Sequence, residues 1–199
     1  MDSRTKVNGE RIRAIETTYN GIKFRSRLEA RVAKLFDELN ATYEYEPEGF
    51  DLGDGIWYLP DFRLQGLCNP GLTSRMYTPQ DLWVEVKGVV TPLDKEKIRR
   101  FVNLVGEPIL IMGSLPLPKG RTDSEKLHSI LHQAADAEYN TEFLFSWRFI
   151  NGDSYHVTPC INKRGEVCLF SGDYDQSELD VQRTVRAYTS ALNERFERQ

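Results

Sequence analysis

The sequence predicts an α/β fold in which a mixed central sheet is flanked by helices. This prediction depends on an apolar strand at residues 83–87, a helix that Thr91-Pro92 opens, and a second apolar strand at residues 108–112. A strand, helix and strand at this spacing form a crossover unit, which pairs its two strands in parallel and places the helix on the sheet. We therefore expect the strands of Glu85 and Ile109 to be parallel neighbours.

The first predicted element is an amphipathic helix that begins near Ser26. Apolar residues recur there at helical spacing, namely Phe24, Leu28, Val32, Leu35, Phe36 and Leu39. Glu29 lies beside this apolar stripe, so its side chain is expected at the edge of the core. The neighbouring Arg25, Arg27 and Arg31 also fit a second interpretation, in which Glu29 belongs to a solvated helix face.

The next strand is predicted to begin at Pro60-Asp61, which follows an aromatic segment at residues 55–59. Proline is tolerated at the first position of a strand, and the following side chain can project into a cleft. Residues 65–80 have the glycine and proline content of a loop. This loop is either a substrate contact beside a site or a tolerated surface excursion.

The strand around Glu85 carries two charged residues in an apolar setting. Alternate residues of a strand share a face, so Glu85 and Lys87 point to one side and Val84 and Val86 to the other. A strand this apolar is usually central in a sheet, where charged side chains need a functional reason. An edge strand whose charged residues face water is the other interpretation.

Asp61 and Glu85 lie on different predicted strands and can converge. Carboxylate oxygens suit Mg²⁺ or Mn²⁺, and Mg²⁺ is typically held by one or two protein carboxylates together with water and substrate phosphate. A nearby lysine such as Lys87 can orient the bound water and offset charge on the phosphate. These groups suffice to hydrolyse a phosphodiester bond.

The order Pro60-Asp61 and then Glu85-Val86-Lys87 resembles the PD-(D/E)xK nuclease superfamily, which has the restriction-endonuclease-like fold. Residues 19–31 resemble the glutamate-bearing helix of that superfamily. Residues 43–50 are similar to the first strand and turn of phage-encoded and transposase-type members. The resemblance covers roughly residues 19–113.

The resemblance implies a metal-dependent nuclease that cuts DNA, and the expected activity is that of an endonuclease of phage or mobile-element origin. It implies Asp61 and Glu85 as ligands of Mg²⁺ or Mn²⁺, with the Val86 carbonyl as a further ligand. Lys87 would position or activate the attacking water, and Glu29 would bind or orient the metal shell. The alternatives are an RNA-directed nuclease and a non-catalytic module that binds nucleic acid or protein.

The chain is predicted to divide into a nuclease core at residues 1–114 and an α+β extension at residues 115–199 packed on that core. The extension is expected to contain a helix at 124–137, strands at 142–150, 154–160 and 167–170, and a closing helix at 176–197. Asn151-Gly152 is a strong hairpin signal between the first two of these strands. The extension is also a candidate surface for a protein partner.

The formal net charge of −4 offers no global attraction to DNA. We therefore predict local contacts to DNA from five basic residues, namely Lys23, Arg25, Arg27, Lys95 and Lys97, although a solvated helix face is equally compatible with them.

The absence of a long apolar run and the odd number of cysteines predict a cytoplasmic protein without a membrane span, in the host cytoplasm if phage-encoded. A homodimer would allow paired cuts on two strands, and the sequence leaves the oligomeric state open.

Overall fold

The structure is a computed structural model that describes residues 6–7, 10–11, 14–67, 80–136, 145–148, 154–155, 157–170 and 176–196. The strands are β1 (Lys6–Val7), β2 (Glu10–Arg11), β3 (Thr17–Tyr19), β4 (Ile22–Phe24), β5 (Thr42–Tyr45), β6 (Phe50–Asp51), β7 (Trp57–Tyr58), β8 (Phe62–Leu67), β9 (Gln80–Val86), β10 (Ile109–Met112), β11 (Phe145–Arg148), β12 (Ser154–Tyr155), β13 (Thr158–Ile161) and β14 (Val167–Phe170). The helices are α1 (Arg27–Glu38), α2 (Pro92–Val105), α3 (Asp123–Asp136) and α4 (Val181–Asn193). The predicted α/β class, with a mixed sheet flanked by helices, is confirmed.

Six of the described strands form one sheet in the order β12-β11-β10-β9-β8-β5. The neighbours β9 and β10 run parallel, with Glu85 opposite Ile111, as the crossover through α2 predicts. The other neighbouring pairs of this sheet are antiparallel. Because β9 is paired on both sides, the interpretation of its charged residues as belonging to an edge strand is wrong.

The two faces of the sheet support two separate cores. Val84 and Val86 of β9 belong to the larger core, which also contains residues of α1, α3, α4 and the β13–β14 hairpin. Trp83 belongs to the smaller core, with residues of α2 and of the β6–β7 hairpin. Alternation along β9 therefore places Glu85 on the face that α2 covers.

Helix α1 begins where the sequence predicts. The Ser26 hydroxyl accepts the Glu29 backbone N–H at 3.1 Å and so caps the first turn. Phe24, predicted as part of the helical stripe, instead ends strand β4 of a hairpin. That hairpin turns at Asn20-Gly21, where both residues have positive φ (47° and 78°). Phe24 still reaches the larger core, so its spacing from the helix reflects a shared core and not a shared helix.

Phe62, the first residue of β8, lies in the centre of an aromatic cluster and is fully buried. Its ring centroid lies between 5.3 and 6.0 Å from those of four other rings, namely Phe24, Phe36, Tyr43 and Tyr45. These rings come from β4, α1 and β5. The cluster therefore joins three elements at the residue that follows Asp61.

Strand β8 is longer than predicted, because it continues to Leu67 into the segment expected to be a loop. The pairing of β8 with β9 shifts register between Leu64 and Leu67, where Gly66 has a φ of 65°. A strand accommodates a glycine at such an irregularity. Gly66, which suggested a loop, therefore lies within β8. The predicted loop residues 68–79 lie outside the described residues.

The C-terminal part follows the prediction for α3 and for the antiparallel pair β11–β12, whose Asn151-Gly152 turn lies outside the described residues. The strand predicted at 154–160 is wrong as a single element, because β12 joins the large sheet while β13, which contains Pro159, pairs with β14. The closing helix starts later than predicted, since Asp180 caps α4 and a 3₁₀ turn, Gln176–Glu178, precedes it. The division at residue 114 stays a prediction.

None of the helices in the described part of the chain combines the length and the apolar character that crossing a bilayer requires.

Candidate active site

Glu85 lies near the carboxyl-terminal end of β9, Lys87 directly follows the strand, and the two side chains contact each other. The Lys87 ammonium is 2.7 Å from Oε1 of Glu85. Glu85 is buried, with 4% of its surface exposed, whereas 27% of the Lys87 side chain is exposed. The two side chains therefore share one side of the strand, as alternation predicts, with the carboxylate inside and the ammonium toward solvent.

Tyr58 and Asp94 also contact this pair. The buried Tyr58 hydroxyl, on β7, donates to Oε2 of Glu85 at 2.9 Å. Oδ1 of Asp94 lies 3.7 Å from the Lys87 ammonium, and its other oxygen accepts the backbone N–H and hydroxyl of Thr91. The Thr91-x-x-Asp94 spacing is a capping-box signal that locates Asp94 from sequence, whereas no sequence signal connects Tyr58 to Glu85.

Asp61 lies directly before β8 and is 2% exposed. Its Oδ2 accepts the backbone N–H of Val86 at 2.6 Å. Its Oδ1 accepts a hydrogen bond from the Arg25 guanidinium at 2.6 Å. The structure thus connects Asp61 to the residue between Glu85 and Lys87, and it brings all three predicted chemical groups to one end of the β8–β9 pair.

Glu29 is buried and has both carboxylate oxygens engaged. Oε1 accepts the Ser26 hydroxyl at 2.7 Å, and Oε2 accepts the Tyr45 hydroxyl at 2.7 Å. Oε2 also accepts the backbone N–H of Arg25 at 3.1 Å. These bonds tie the start of α1 to β5. The sequence left two roles open for Glu29, binding the metal shell or orienting it, and these contacts fit the orienting role.

The site carries excess negative charge. Among the residues just described and their ion-pair partners, five carboxylates surround two basic side chains: Asp61, Glu85, Glu29, Glu46 and Asp94 around Arg25 and Lys87. Burial raises the pKa of Asp61 well above its usual range, and the charges of Glu85 and Glu29 raise it further. Burial also raises the pKa of Glu85, against the opposing effect of Lys87. An additional cation would stabilise the charged forms of Asp61 and Glu85 and so lower both pKa values.

The protonation of Lys87 follows from the same charges. Burial lowers the pKa of Lys87, but the Glu85 and Asp61 carboxylates outweigh it and raise that pKa above the usual value. With these neighbours Lys87 is an ammonium group at neutral pH. Of the two roles predicted for it, positioning water as a hydrogen-bond donor therefore agrees better with the structure than activating water as a base.

The five residues predicted to contact DNA occupy different environments. Arg25 contacts Asp61, while Lys23 on β4 pairs with Glu16 and keeps 61% of its side chain exposed. Arg27 is half-buried in the first turn of α1. Lys95 is exposed and Lys97 half-buried on α2. Their role in binding DNA stays a prediction.

The donor set at this site fits a hard divalent cation. In the described part of the chain, no group of three or more His, Cys, Asp or Glu side chains is arranged as a ready-made metal cage. Mg²⁺ requires only one or two carboxylates when water and phosphate complete its shell. Asp61 and Glu85 supply hard oxygens in buried, acidic surroundings, so the two residues suit Mg²⁺ or Mn²⁺.

Tyr58→Phe should lower the free energy of unfolding by about 1–2 kcal/mol, because it leaves one buried oxygen of Glu85 without its donor. Burial and the Glu85 charge raise the pKa of Tyr58 well above its usual value, so the native hydroxyl remains a donor at neutral pH. Urea denaturation in EDTA at pH 7 measures this loss. The adjacent Trp57, 67% exposed, provides the control Trp57→Phe, which should change stability by less than about 0.5 kcal/mol. Equal stability of Tyr58→Phe and wild type would contradict a stabilising role for this bond.

Comparisons with protein-family models, with curated proteins and with solved structures find no match to this chain. A function is therefore proposed from the contacts of Asp61, Glu85 and Lys87.

Proposed function

We propose that this chain is a metal-dependent nuclease of the PD-(D/E)xK type that hydrolyses phosphodiester bonds in DNA and uses Mg²⁺ or Mn²⁺. The observation that carries this proposal is the convergence of the buried carboxylates Asp61 and Glu85 beside the ammonium group of Lys87. The central β8–β9–β10 arrangement, antiparallel and then parallel, is compatible with a restriction-endonuclease-like fold.

Asp61 and Glu85 would hold the metal, with the Val86 carbonyl as a third protein ligand. The backbone N–H and C=O of one strand residue point to the same side of that strand. Because the Val86 N–H is directed at Asp61, the Val86 carbonyl faces that side as well. This backbone direction supports the predicted role of Val86.

When bound, the metal would polarise the scissile phosphate and lower the pKa of a bound water. Lys87, as a charged donor, orients the attacking water and offsets the negative charge that develops on the phosphate. Tyr58 holds Glu85 in place through its hydroxyl, and Glu29 fixes the backbone of Arg25. The protein thus supplies three ligands, one donor and two positioning groups.

DNA is the proposed substrate, with a role in phage or mobile-element DNA processing in the cytoplasm. The net charge of −4 requires local attraction, which we assign to Lys23, Arg25, Arg27, Lys95 and Lys97. A bound divalent cation would add positive charge at the scissile phosphate.

The test is cleavage of circular single-stranded and supercoiled double-stranded DNA in Mg²⁺, Mn²⁺ or EDTA. Wild type should cut the circles with either metal and leave them intact in EDTA. Lys87→Ala should lower the rate by about a hundredfold, because it removes the positioned donor. Lys119→Ala, which removes an exposed lysine before α3, should cleave at the wild-type rate.

Other outcomes would lead to different conclusions. Cleavage that persists in EDTA or is unchanged in Lys87→Ala would contradict the assigned site. Failure to cut circles, followed by cutting of linear DNA or of RNA, would assign an end-requiring exonuclease or an RNA-directed nuclease. A folded wild type that binds nucleic acid but cuts none of these substrates would be a non-catalytic module.

A further inference from the structure

Arg25 places a guanidinium group on an oxygen that the proposed metal requires. One nitrogen of this group lies 2.6 Å from Oδ1 of Asp61, and its Nε contacts Oε1 of Glu46. The other oxygen of Asp61 accepts the Val86 N–H. Oδ1 is therefore the oxygen of Asp61 that faces a cation, and Arg25 supplies that cation.

The Arg25 guanidinium lies at the surface, although the Asp61 carboxylate that it contacts is buried. The Arg25 side chain is 54% exposed, whereas the Asp61 side chain is 2% exposed. The Arg25 backbone is held separately, because its N–H donates to Glu29 and to the Tyr45 hydroxyl. The guanidinium can therefore swing away from Asp61 without opening the core or moving the backbone.

We propose that Arg25 is a placeholder cation that competes with the divalent metal for Asp61 and leaves Oδ1 when the metal binds. This inference rests on the proposed function. A guanidinium and a divalent cation on one oxygen would repel each other, and the burial of Asp61 limits how far water screens that repulsion. The five-to-two excess of carboxylates described above explains why some cation must occupy Asp61 before the metal does.

Glu46 gives the displaced side chain a place to remain. Its side chain is 24% exposed, so it keeps a partner for Arg25 at the rim of the site after Asp61 is released. A guanidinium at that rim presents a planar set of donors that matches the oxygens of a phosphate group. Arg25 would then leave Asp61, a proposed metal ligand, and contact a phosphate of the substrate backbone. This exchange would couple metal binding to DNA binding.

The test is Mn²⁺ binding measured by isothermal titration calorimetry on the full chain without DNA. Arg25→Gln should bind Mn²⁺ about tenfold more tightly than wild type, because the metal no longer displaces a charge-assisted hydrogen bond. Arg25→Lys keeps the charge but loses the planar fork, so its affinity should lie between the two. Arg99→Gln is the matched control, since it removes an exposed arginine of α2 that pairs with Glu96, and it should bind like wild type.

The remaining outcomes separate this inference from the proposed function. Binding that Asp61→Asn abolishes, but that is equal or weaker in Arg25→Gln, would overturn the placeholder role and leave the proposed function standing. Failure of both wild type and Arg25→Gln to bind Mn²⁺, or Mn²⁺ binding that does not depend on Asp61, would overturn both. If Arg25→Gln fails to fold by circular dichroism, Arg25→Lys decides, and an affinity no tighter than that of wild type overturns the inference.

Discussion

Asp61→Asn should lower the rate of DNA cleavage by about a thousandfold while the protein remains folded. Asparagine has nearly the same shape and can still accept the Val86 N–H, but it lacks the charge that a divalent ion requires. Loss of metal-assisted charge stabilisation costs several kcal/mol of activation free energy, which corresponds to about three orders of magnitude. Single-turnover cleavage of supercoiled DNA at saturating Mg²⁺ measures this effect.

The same substitution should change how stability depends on pH. The pKa of Asp61 in the folded protein is raised above its unfolded value, so the folded state binds more protons. The stability contributed by protonated Asp61 is therefore complete below about pH 4 and is lost as the pH rises through the folded pKa. Because asparagine does not titrate, the stability of Asp61→Asn relative to wild type should increase between pH 4 and 8. Urea denaturation in EDTA across this range measures the difference.

A matched control separates these effects from a general loss of charge. Asp123→Asn removes a half-buried aspartate at the start of α3 that pairs with Lys126. It should cleave DNA at the wild-type rate. A relative stability of Asp61→Asn that falls with rising pH would contradict the raised pKa, and retained metal-dependent cleavage would contradict Asp61 as a ligand.

The parts of the fold that the sequence predicted correctly depend on local signals. The Thr91-Pro92 start of α2 and the apolar β9 and β10 are each defined within a few residues, and their spacing determines parallel pairing. Elements that depend on tertiary contacts were predicted less well. Phe24 matches a helical stripe by spacing, but the turn at Asn20-Gly21 places it in a strand.

The residues of the candidate site follow the same pattern, because those defined by local sequence were predictable and those placed by tertiary contacts were not. Glu85 and Lys87 share a face because strand alternation requires it, and the predicted strand at residues 83–87 is enough to predict that. The position of Arg25 was not predictable from its basic neighbours, because its contact with Asp61 spans 36 residues and depends on how β4 leads into α1. Tyr58 likewise reaches Glu85 across 27 residues through a hairpin that the sequence did not indicate.

Phe62→Ala should lower the free energy of unfolding by about 3–5 kcal/mol, which we expect to be the largest stability effect of any substitution proposed here. Phe62 is fully buried, and its ring packs against aromatic rings from β4, α1 and β5. Alanine removes the side chain that these three elements share and leaves a cavity that the sheet cannot close. Urea denaturation at pH 7 in EDTA measures the loss, and Trp57→Ala, at a 67% exposed position, should stay within about 0.5 kcal/mol of wild type.

The same cavity should also reduce cleavage per folded molecule, because Phe62 anchors the backbone that carries Asp61. The Asp61 carbonyl accepts the Glu46 N–H and its side chain accepts the Val86 N–H, so a shift at Phe62 moves a proposed ligand relative to Glu85. A displacement of about 1 Å can cost two orders of magnitude in rate. Phe62→Leu, which fills much of the volume, should recover most of both losses. If Phe62→Ala is destabilised but cleaves at the wild-type rate per folded molecule, the aromatic cluster supports the fold without positioning the site.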